Sequence, residues 1–190
     1  GQFQASFVVP KNIDYQYGNG KIRFYAVSNN QSEDAIGGSK DIIIGGTGKN
    51  VNTDLTPPSI ELALNDFETP YQTSYQGNVL LLARLSDESG INISNLGFGQ
   101  NINLTINDSA SYTLNDYFIS EKDDFSRGTI SFPLNNLAPG SNILHLKAWD
   151  NFGNSNTASI EVIIKENSSA ITEIKNYPNP LESETHFLIE

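Results

Sequence analysis

Short apolar runs recur along the whole chain, and most of them alternate apolar with polar residues. Alternation at every second position is typical of β-strands, because successive side chains on a strand point to opposite faces. No segment repeats its apolar residues with the period of an amphipathic helix. The chain is therefore predicted to be all-β. The predicted strands are residues 3–9, 21–27, 41–44, 60–64, 79–85, 103–106, 129–132, 143–149 and 160–164.

Clusters of turn-forming residues separate these runs. Examples are Pro139-Gly140 and residues 151–154, where glycine, asparagine and proline favour tight turns. About seven short strands at this spacing are typical of a β-sandwich. The predicted fold is an immunoglobulin-like β-sandwich over residues 56–166, flanked by a partial β-module and a short C-terminal tail strand.

An internal repeat relates the start of the chain to a later part. In each copy, an apolar segment that ends in proline is followed, after a loop, by a longer apolar strand with an alanine near its end. The copies are residues 7–10 with 21–27 and residues 130–133 with 144–150, and closing strands follow at 41–44 and 160–164. The shared pattern covers the last three strands of a sandwich. Residues 1–46 are therefore predicted to be the C-terminal strands of a first immunoglobulin-like module whose earlier strands lie upstream.

Two joints divide the chain. Residues 47–55, rich in glycine and asparagine, are predicted to be a flexible linker before the sandwich. Residues 167–190 are predicted to be a second linker and the beginning of a further segment. There, Tyr177-Pro178-Asn179-Pro180 precedes a predicted strand at residues 185–189, for which the sequence shows no partner strand.

The charge balance narrows the range of partners. The chain carries 22 acidic and 11 basic residues, a net charge of −11. Binding to nucleic acid or to an anionic membrane surface needs a positive field, so both are predicted to be absent. A net negative charge keeps an extracellular module soluble.

Cysteine usage narrows the chemistry. The chain has no cysteine, so a disulfide framework, a cysteine-based zinc site and a thiol nucleophile are all excluded within these residues. An exported domain without disulfides fits a bacterial envelope protein. No signal peptide opens the chain, so an export signal is expected upstream and the chain is expected to be a fragment or a processed product.

Calcium is the one cofactor that the sequence leaves open. Asp66, Asp87, Glu88 and Asp150 lie at predicted strand ends, where loop carboxylates can bind a hard cation. Opposite ends of a sandwich cannot share one ion, and no loop has the regular spacing of a calcium-binding loop. The prediction is therefore no cofactor and no assigned metal ligand, with calcium as the alternative.

No residue is predicted to be catalytic. His145 lies inside a predicted strand opposite no obvious acid, and no Ser–His–Asp spacing is visible. Trp149 is predicted to pack in the core of the sandwich. Leu144, Leu146 and Ala148 occupy the other face of its strand, which leaves the orientation of the tryptophan open.

The tail carries the most specific short motif. Asn176-Tyr177-Pro178-Asn179-Pro180, followed by the predicted strand at residues 185–189, resembles the opening of a type A C-terminal sorting domain of the Bacteroidetes type IX secretion system. In that family such a turn leads into the first strand of a small β-sandwich. The resemblance implies that Tyr177, Pro178, Asn179 and Pro180 belong to a sorting motif.

A second resemblance covers nearly the whole chain in order. The matching segments resemble the C-terminal region of the type IX secretion sortases, which are gingipain-like cysteine peptidases of family C25. These segments are residues 9–15, 18–22, 44–46, 80–92, 114–118, 128–134 and 146–151.

This resemblance implies a surface enzyme that removes the sorting domains of cargo proteins and attaches the cargo to lipopolysaccharide. The catalytic cysteine and histidine of the family belong to an upstream domain, and none of their motif positions exists in this sequence. The implied role of the chain is structural and docking. Its implied partners are the upstream peptidase domain, cargo proteins and an outer-membrane β-barrel protein of the type IX system.

A different class of function stays open. The chain can also be an adhesive or carbohydrate-binding immunoglobulin-like module of another surface protein secreted by the type IX system. Such a module would use loops or an aromatic platform, for which the candidates are Tyr71, Tyr75, Tyr112, Tyr117 and Phe118.

Overall fold

The computed structural model describes residues 4, 6–11, 16–28, 30–46, 53–68, 74–94, 99–166, 174–177 and 186–189, the last two ranges by their backbone alone. Regular structure in these residues is β-strand, apart from one 3-10 turn at Asn115–Tyr117. The predicted all-β fold is thereby confirmed. Within this part of the chain, no helix has the length and apolar character needed to cross a membrane.

The N-terminal part contains a long β-hairpin. Its strands are β1 (Gly18–Asn19), β2 (Ile22–Val27), β3 (Asp34–Ser39) and β4 (Ile43–Ile44). The antiparallel ladders β2–β3 and β1–β4 follow each other along the hairpin. Between them, the backbone N–H of Gly20 donates to the carbonyl of Ile42, 2.9 Å away. The two ladders therefore form one continuous arm.

Two strand predictions in this part are wrong. Residues 6–10 are described but do not lie in a strand, although a strand was predicted at 3–9. The strand opposite β2 is β3, whereas the predicted closing strand at 41–44 contributes only β4, opposite β1. The sequence of β3, Asp-Ala-Ile-Gly-Gly-Ser, has little intrinsic strand preference, so pairing with β2 determines its conformation.

The central part is a sandwich of two antiparallel four-stranded sheets. One sheet has the order β5-β6-β10-β9 and the other has the order β12-β11-β7-β8. This is the strand order of immunoglobulin-like sandwiches, so that fold prediction is also confirmed. The strands are β5 (Ser59–Leu64), β6 (Val79–Ser86), β7 (Asn103–Ile106), β8 (Ala110–Thr113), β9 (Phe118–Glu121), β10 (Asp124–Leu134), β11 (Gly140–Trp149) and β12 (Ser155–Ile164).

Alternate residues of the inner strands fill the space between the sheets. Leu81 and Leu85 of β6 belong to the same core cluster as Leu144 and Leu146 of β11, and each of the four is at most 1% exposed. Burying one such leucine stabilises the fold by about 1.5–3 kcal/mol. The alternation in the sequence is therefore the pattern of side chains that form the core.

Trp149 lies on the outer face of β11 and not in the core. It shares that face with Ile143, which is 47% exposed. The ammonium group of Lys147 lies 4.5 Å from the centroid of the indole ring, and the indole Nε1 is buried without a hydrogen-bond partner among the described residues. The prediction that Trp149 packs in the core is therefore wrong, because Ala148 takes the inward position.

The outer edge of β12 is covered near its C-terminal end. The backbone N–H of Tyr75 donates to the carbonyl of Ile163, and the N–H of Lys165 donates to the carbonyl of Tyr75. Tyr75 itself is buried, with 7% of its surface exposed. The segment before β6 therefore occupies the hydrogen-bonding groups that an edge strand would otherwise present to solvent.

The tail forms a second hairpin. Strand β13 (Ile174–Tyr177) pairs with strand β14 (His186–Ile189) in antiparallel orientation. The expectation that the tail strand has no partner within the chain is therefore wrong. No apolar pattern predicted β13 as a strand.

Candidate functional site

Three carboxylates meet at one end of the sandwich. Asp54 precedes β5, Asp87 follows β6, and Asp150 follows β11. Because β5 and β6 are antiparallel, with Ser59 opposite Ser86, the start of β5 lies beside the end of β6. One oxygen from each carboxylate lies within 4.8 Å of the other two. We call Asp54, Asp87 and Asp150 the carboxylate cluster.

Hydrogen bonds fix all three carboxylates. The Oδ1 of Asp54 accepts the backbone N–H of Thr56 at 2.9 Å. Asp150 is fully buried; its Oδ1 accepts the backbone N–H of Phe152 at 2.9 Å and that of Asn154 at 2.7 Å, and its Oδ2 accepts the Asn154 amide at 2.6 Å. The Oδ1 of Asp87 accepts the backbone N–H of Ser89 at 2.8 Å and its hydroxyl at 2.6 Å. These are the side-chain bonds by which aspartate closes a turn.

The environment shifts the protonation of Asp87. Burial raises the pKa of its carboxyl group above the ordinary value of 3.8, and the negative charges of Asp150 and Asp54 raise it further. The two hydrogen bonds from Ser89 act in the opposite direction. The raised pKa means that ionised Asp87 destabilises the folded protein relative to its protonated form.

A cleft of about 360 Å³ opens beside the cluster, lined in part by Asp54, Asp87, Glu88 and Arg127. Carboxylate oxygens are the ligands that calcium prefers, and the cluster offers three of the roughly six to eight oxygens that the ion takes. Two of the four calcium candidates from the sequence, Asp87 and Asp150, are brought together. Glu88 is exposed at the rim, and Asp66 follows β5 at the opposite end of the sandwich.

Asp54 is the residue of this cluster that the sequence did not predict. It lies in the predicted linker at residues 47–55, where its neighbours give no sign of a fixed position. Asn154 holds it, because the side-chain amide of Asn154 donates to the backbone carbonyl of Asp54 at 3.1 Å. The one available signal was that residue 54 lies five residues before Ser59, where β5 begins beside the end of β6.

The N-terminal segment contacts the same end of the sandwich. The backbone N–H of Lys11 donates to the carbonyl of Asn151 at 2.9 Å. The ammonium group of Lys11 lies 4.5 Å from the centroid of the Phe152 ring. A second cleft beside the cluster is lined by Val8, Asp54 and Phe152, among others. The loop at residues 150–154 therefore connects the carboxylate cluster to the segment before the hairpin.

The sorting motif is described only at its first residue. Tyr177 is the last residue of β13 and pairs with His186 of β14. Pro178, Asn179 and Pro180 lie outside the described residues. The assignment of these four residues to a sorting motif stays a prediction.

His145 has neighbours that the sequence did not show. Its Nδ1 lies 2.6 Å from the hydroxyl of Ser159, which is directly opposite on β12, and its Nε2 lies 3.8 Å from Asp108. A hydrolytic triad has the reverse arrangement, in which the aspartate orients Nδ1 and Nε2 takes the proton of the serine. Asp108 is also 87% exposed. We interpret the group as a cross-strand pair on a solvent-facing surface.

The predicted aromatic platform assembles only in part. Tyr112 and Tyr117 are each 43% exposed, and their rings lie 5.5 Å and 5.0 Å from that of Phe132. Tyr75 is buried, Phe118 packs against the core, and Tyr71 lies outside the described residues. The two exposed tyrosines close the edge of the sandwich where β8 and β9 lie.

These features define the class of the protein: an immunoglobulin-like β-sandwich module preceded by a β-hairpin arm, with a carboxylate cluster at the end of the sandwich that the segment before the arm contacts. The chain is similar to PorU from Porphyromonas gingivalis, which was solved as a crystal structure of its dimeric latent form. The two share 31% identity over 97% of this chain, with a TM-score of 0.57. This chain spans 18% of the PorU chain. No family model and no curated protein matches the chain.

Proposed function

We propose that this chain is the C-terminal structural and docking segment of a PorU-like sortase of the type IX secretion system. The observation that carries the proposal is the match to PorU over 97% of the chain at 31% identity. A generic sandwich would match over the central module alone, whereas this match includes the hairpin arm and the tail.

The segment acts without catalysis of its own. A gingipain-like peptidase uses a thiolate nucleophile, and the chain contains no cysteine. The catalytic residues therefore belong to another part of the protein, and the sandwich supports or orients that part. The parent protein is a cysteine endopeptidase at the cell surface that processes type IX cargo.

The tail supplies the docking function. Tyr177, Pro178, Asn179 and Pro180 resemble the turn that opens a sorting domain, and Tyr177 ends a strand of the C-terminal hairpin. In our proposal this turn addresses the sortase to an outer-membrane β-barrel partner of the PorV type. The sandwich then holds the peptidase at a fixed distance from that partner.

Cargo processing in cells tests the proposal. The whole protein with alanine at residues 177–180 is expected to fold but to be lost from the cell surface, and uncleaved cargo is expected to accumulate. The matched control carries alanine at residues 181–184 and is expected to process cargo normally. Normal surface localisation of the first variant would refute the docking role. Peptidase activity of the purified 190-residue chain towards the cargo would refute the structural role.

A further inference from the structure

The hairpin arm repeats the geometry of the last hairpin of the sandwich. Residues 18–27, which include β1 and β2, correspond to β11, and residues 34–44 correspond to β12 with one extra residue between β3 and β4. At the loop end, Val27 pairs with Asp34 as Trp149 pairs with Ser155. At the far end, β1 pairs with β4, as the start of β11 pairs with the end of β12. The arm is therefore built like two neighbouring strands of one sandwich sheet.

This correspondence identifies which face of the arm is equivalent to a core face. In β11, Leu144, Leu146 and Ala148 point between the sheets and are 0% exposed. The residues at the same positions in the arm are Ile22, Phe24 and Ala26. We call the face that carries them the inner face of the arm.

Residues of the opposite strand extend the inner face. Ala35 is directly opposite Ala26 and therefore points to the same side. A Cβ atom at Gly20 would fall within 3 Å of the side chains of Ile42 and Ile44, so both isoleucines also lie on this side. Ser39, directly opposite Ile22, is the polar residue of this face; Ile22, Phe24, Ala26, Ala35, Ile42 and Ile44 make the rest of it apolar.

The inner face is not covered as the equivalent face is in the sandwich. Phe24 is 39% exposed, and Ala26 and Ala35 are exposed. Among the described strands, β1 to β4 pair only with one another, and no other described strand forms a layer over them. An apolar sheet face of this kind is stable when another sheet packs on it about 10 Å away.

We infer that the inner face is half of a second sandwich core, covered in the whole protein by a β-sheet from the polypeptide that precedes residue 1. This inference rests on the proposed function, because it requires a longer protein. PorU is long enough to contain such strands, since this chain spans only 18% of it. The covering sheet presents alternating apolar residues to the arm, as β6 and β10 do to β11.

The opposite face of the arm is expected to stay open. It carries Tyr25, Val27 and Ile36, which are 66%, 52% and 81% exposed. Val27 occupies the position that Trp149 has on the outer face of β11. Ala26 is therefore expected to be buried in the whole protein and its neighbour Val27 to stay exposed. The two residues provide a matched pair for an experiment.

Thiol labelling distinguishes the two faces. Because the chain has no cysteine, the variants Ala26→Cys and Val27→Cys each carry one thiol within these residues. In the 190-residue chain, both thiols are expected to react with a maleimide at similar rates. In the whole protein, with labelled peptides identified by mass spectrometry, we expect position 26 to react at least about 100-fold more slowly, because labelling there requires local opening. Position 27 is expected to keep its rate.

Equal rates at position 26 in the two proteins would overturn the inference. Protection of position 26 in the 190-residue chain that increases with protein concentration would also overturn it, because a second copy would then be the occupant. If Ala26→Cys prevents folding, Ala35→Cys reports on the same face. Either failure leaves the proposed function standing, since cargo processing tests that function independently.

Discussion

Replacing Asp150 with alanine separates two opposing effects in the carboxylate cluster. The substitution removes three hydrogen bonds, from the backbone N–H groups of Phe152 and Asn154 and from the side-chain amide of Asn154. It also removes a buried negative charge that lies within 4.8 Å of two other carboxylates. The first effect destabilises the folded state and the second stabilises it.

The hydrogen bonds are expected to win. Bonds to a charged acceptor stabilise by about 1.5–3 kcal/mol each, so the three of Asp150 together contribute about 4–9 kcal/mol. Relief of repulsion from each neighbouring carboxylate returns about 1–3 kcal/mol at an effective dielectric constant between that of water and 20. We expect Asp150→Ala to lower the free energy of unfolding by about 2 kcal/mol, since buried donors lose their acceptor.

Urea unfolding of the 190-residue chain measures this loss. Trp149 is the only tryptophan and directly precedes Asp150, so its fluorescence reports on this end of the sandwich. A loss of about 2 kcal/mol lowers the urea midpoint by roughly 1 M for a domain of this size. The matched control is Asp116→Ala, which removes an exposed carboxylate and is expected to change stability by less than about 0.5 kcal/mol.

The amide variant tests the balance of the two effects. Asp150→Asn removes the charge and keeps the Oδ1 acceptor for both backbone N–H groups, but its NH2 group then faces the donor amide of Asn154. We therefore expect it to lose stability, but less than Asp150→Ala. If Asp150→Ala proved as stable as the parent chain, the reasoning would be refuted. Electrostatic repulsion within the cluster would then outweigh the stabilisation from the hydrogen bonds of Asp150.

Three further substitutions test other parts of the structure. Asp87→Asn is expected to stabilise the chain at neutral pH, because the pKa of Asp87 is raised by burial; the gain should vanish below pH 3.8 and increase as pH rises through the folded pKa. Ser126→Ala is expected to raise the pKa of Asp124, measured by NMR titration, because the hydroxyl and N–H of Ser126 hold it below 3.8. Leu146→Ala is expected to lower the free energy of unfolding by about 2–5 kcal/mol in urea, since Leu146 is 0% exposed.

Each of these three has an outcome that contradicts it. A stability gain for Asp87→Asn that does not change with pH would show that ionisation of the Asp87 carboxyl group does not destabilise the folded protein. For Asp124 the pH dependence of stability has the opposite sign to that for Asp87, because its pKa is lowered. Its stabilising contribution is present above pH 3.8 and is lost as pH falls through the lowered pKa. An unchanged Asp124 titration would show that the hydroxyl of Ser126 is not the cause. The control for Leu146 is Ile143→Ala on the outer face of the same strand, and equal losses at both positions would contradict the assigned core.

The sandwich could be predicted because its inner strands carry their own pattern. Strands such as β6 and β11 alternate apolar and polar residues along their length. The strands β8 and β9 were missed because each has only four residues and lies at the edge of its sheet, where one row of backbone groups is unpaired and burial imposes little pattern. The strand β3 was missed for a different reason, since its pairing partner determines its conformation.

The carboxylate cluster was predictable only in part. Asp87 and Asp150 could be placed at strand ends, but no sequence pattern shows that the ends of β6 and β11 meet across the two sheets. The turn in which Asp54 accepts the backbone N–H of Thr56 is local, but it does not place Asp54 in the cluster. That placement depends on Asn154, a hundred residues later in the chain, whose side-chain amide donates to the backbone carbonyl of Asp54. Contacts of this kind depend on the completed fold and have no local signature.

The bridge between Tyr75 and the outer edge of β12 has a consequence for crowded surroundings. Proteins that are displayed side by side meet one another constantly, and open strand edges allow neighbouring molecules to join their sheets. Here the end of the ten-residue β12 is already occupied by a short segment of the same chain. At the other side of the sandwich, the edges are strands of four residues each. At this end of β12, a neighbouring molecule therefore cannot add a strand without first displacing Tyr75.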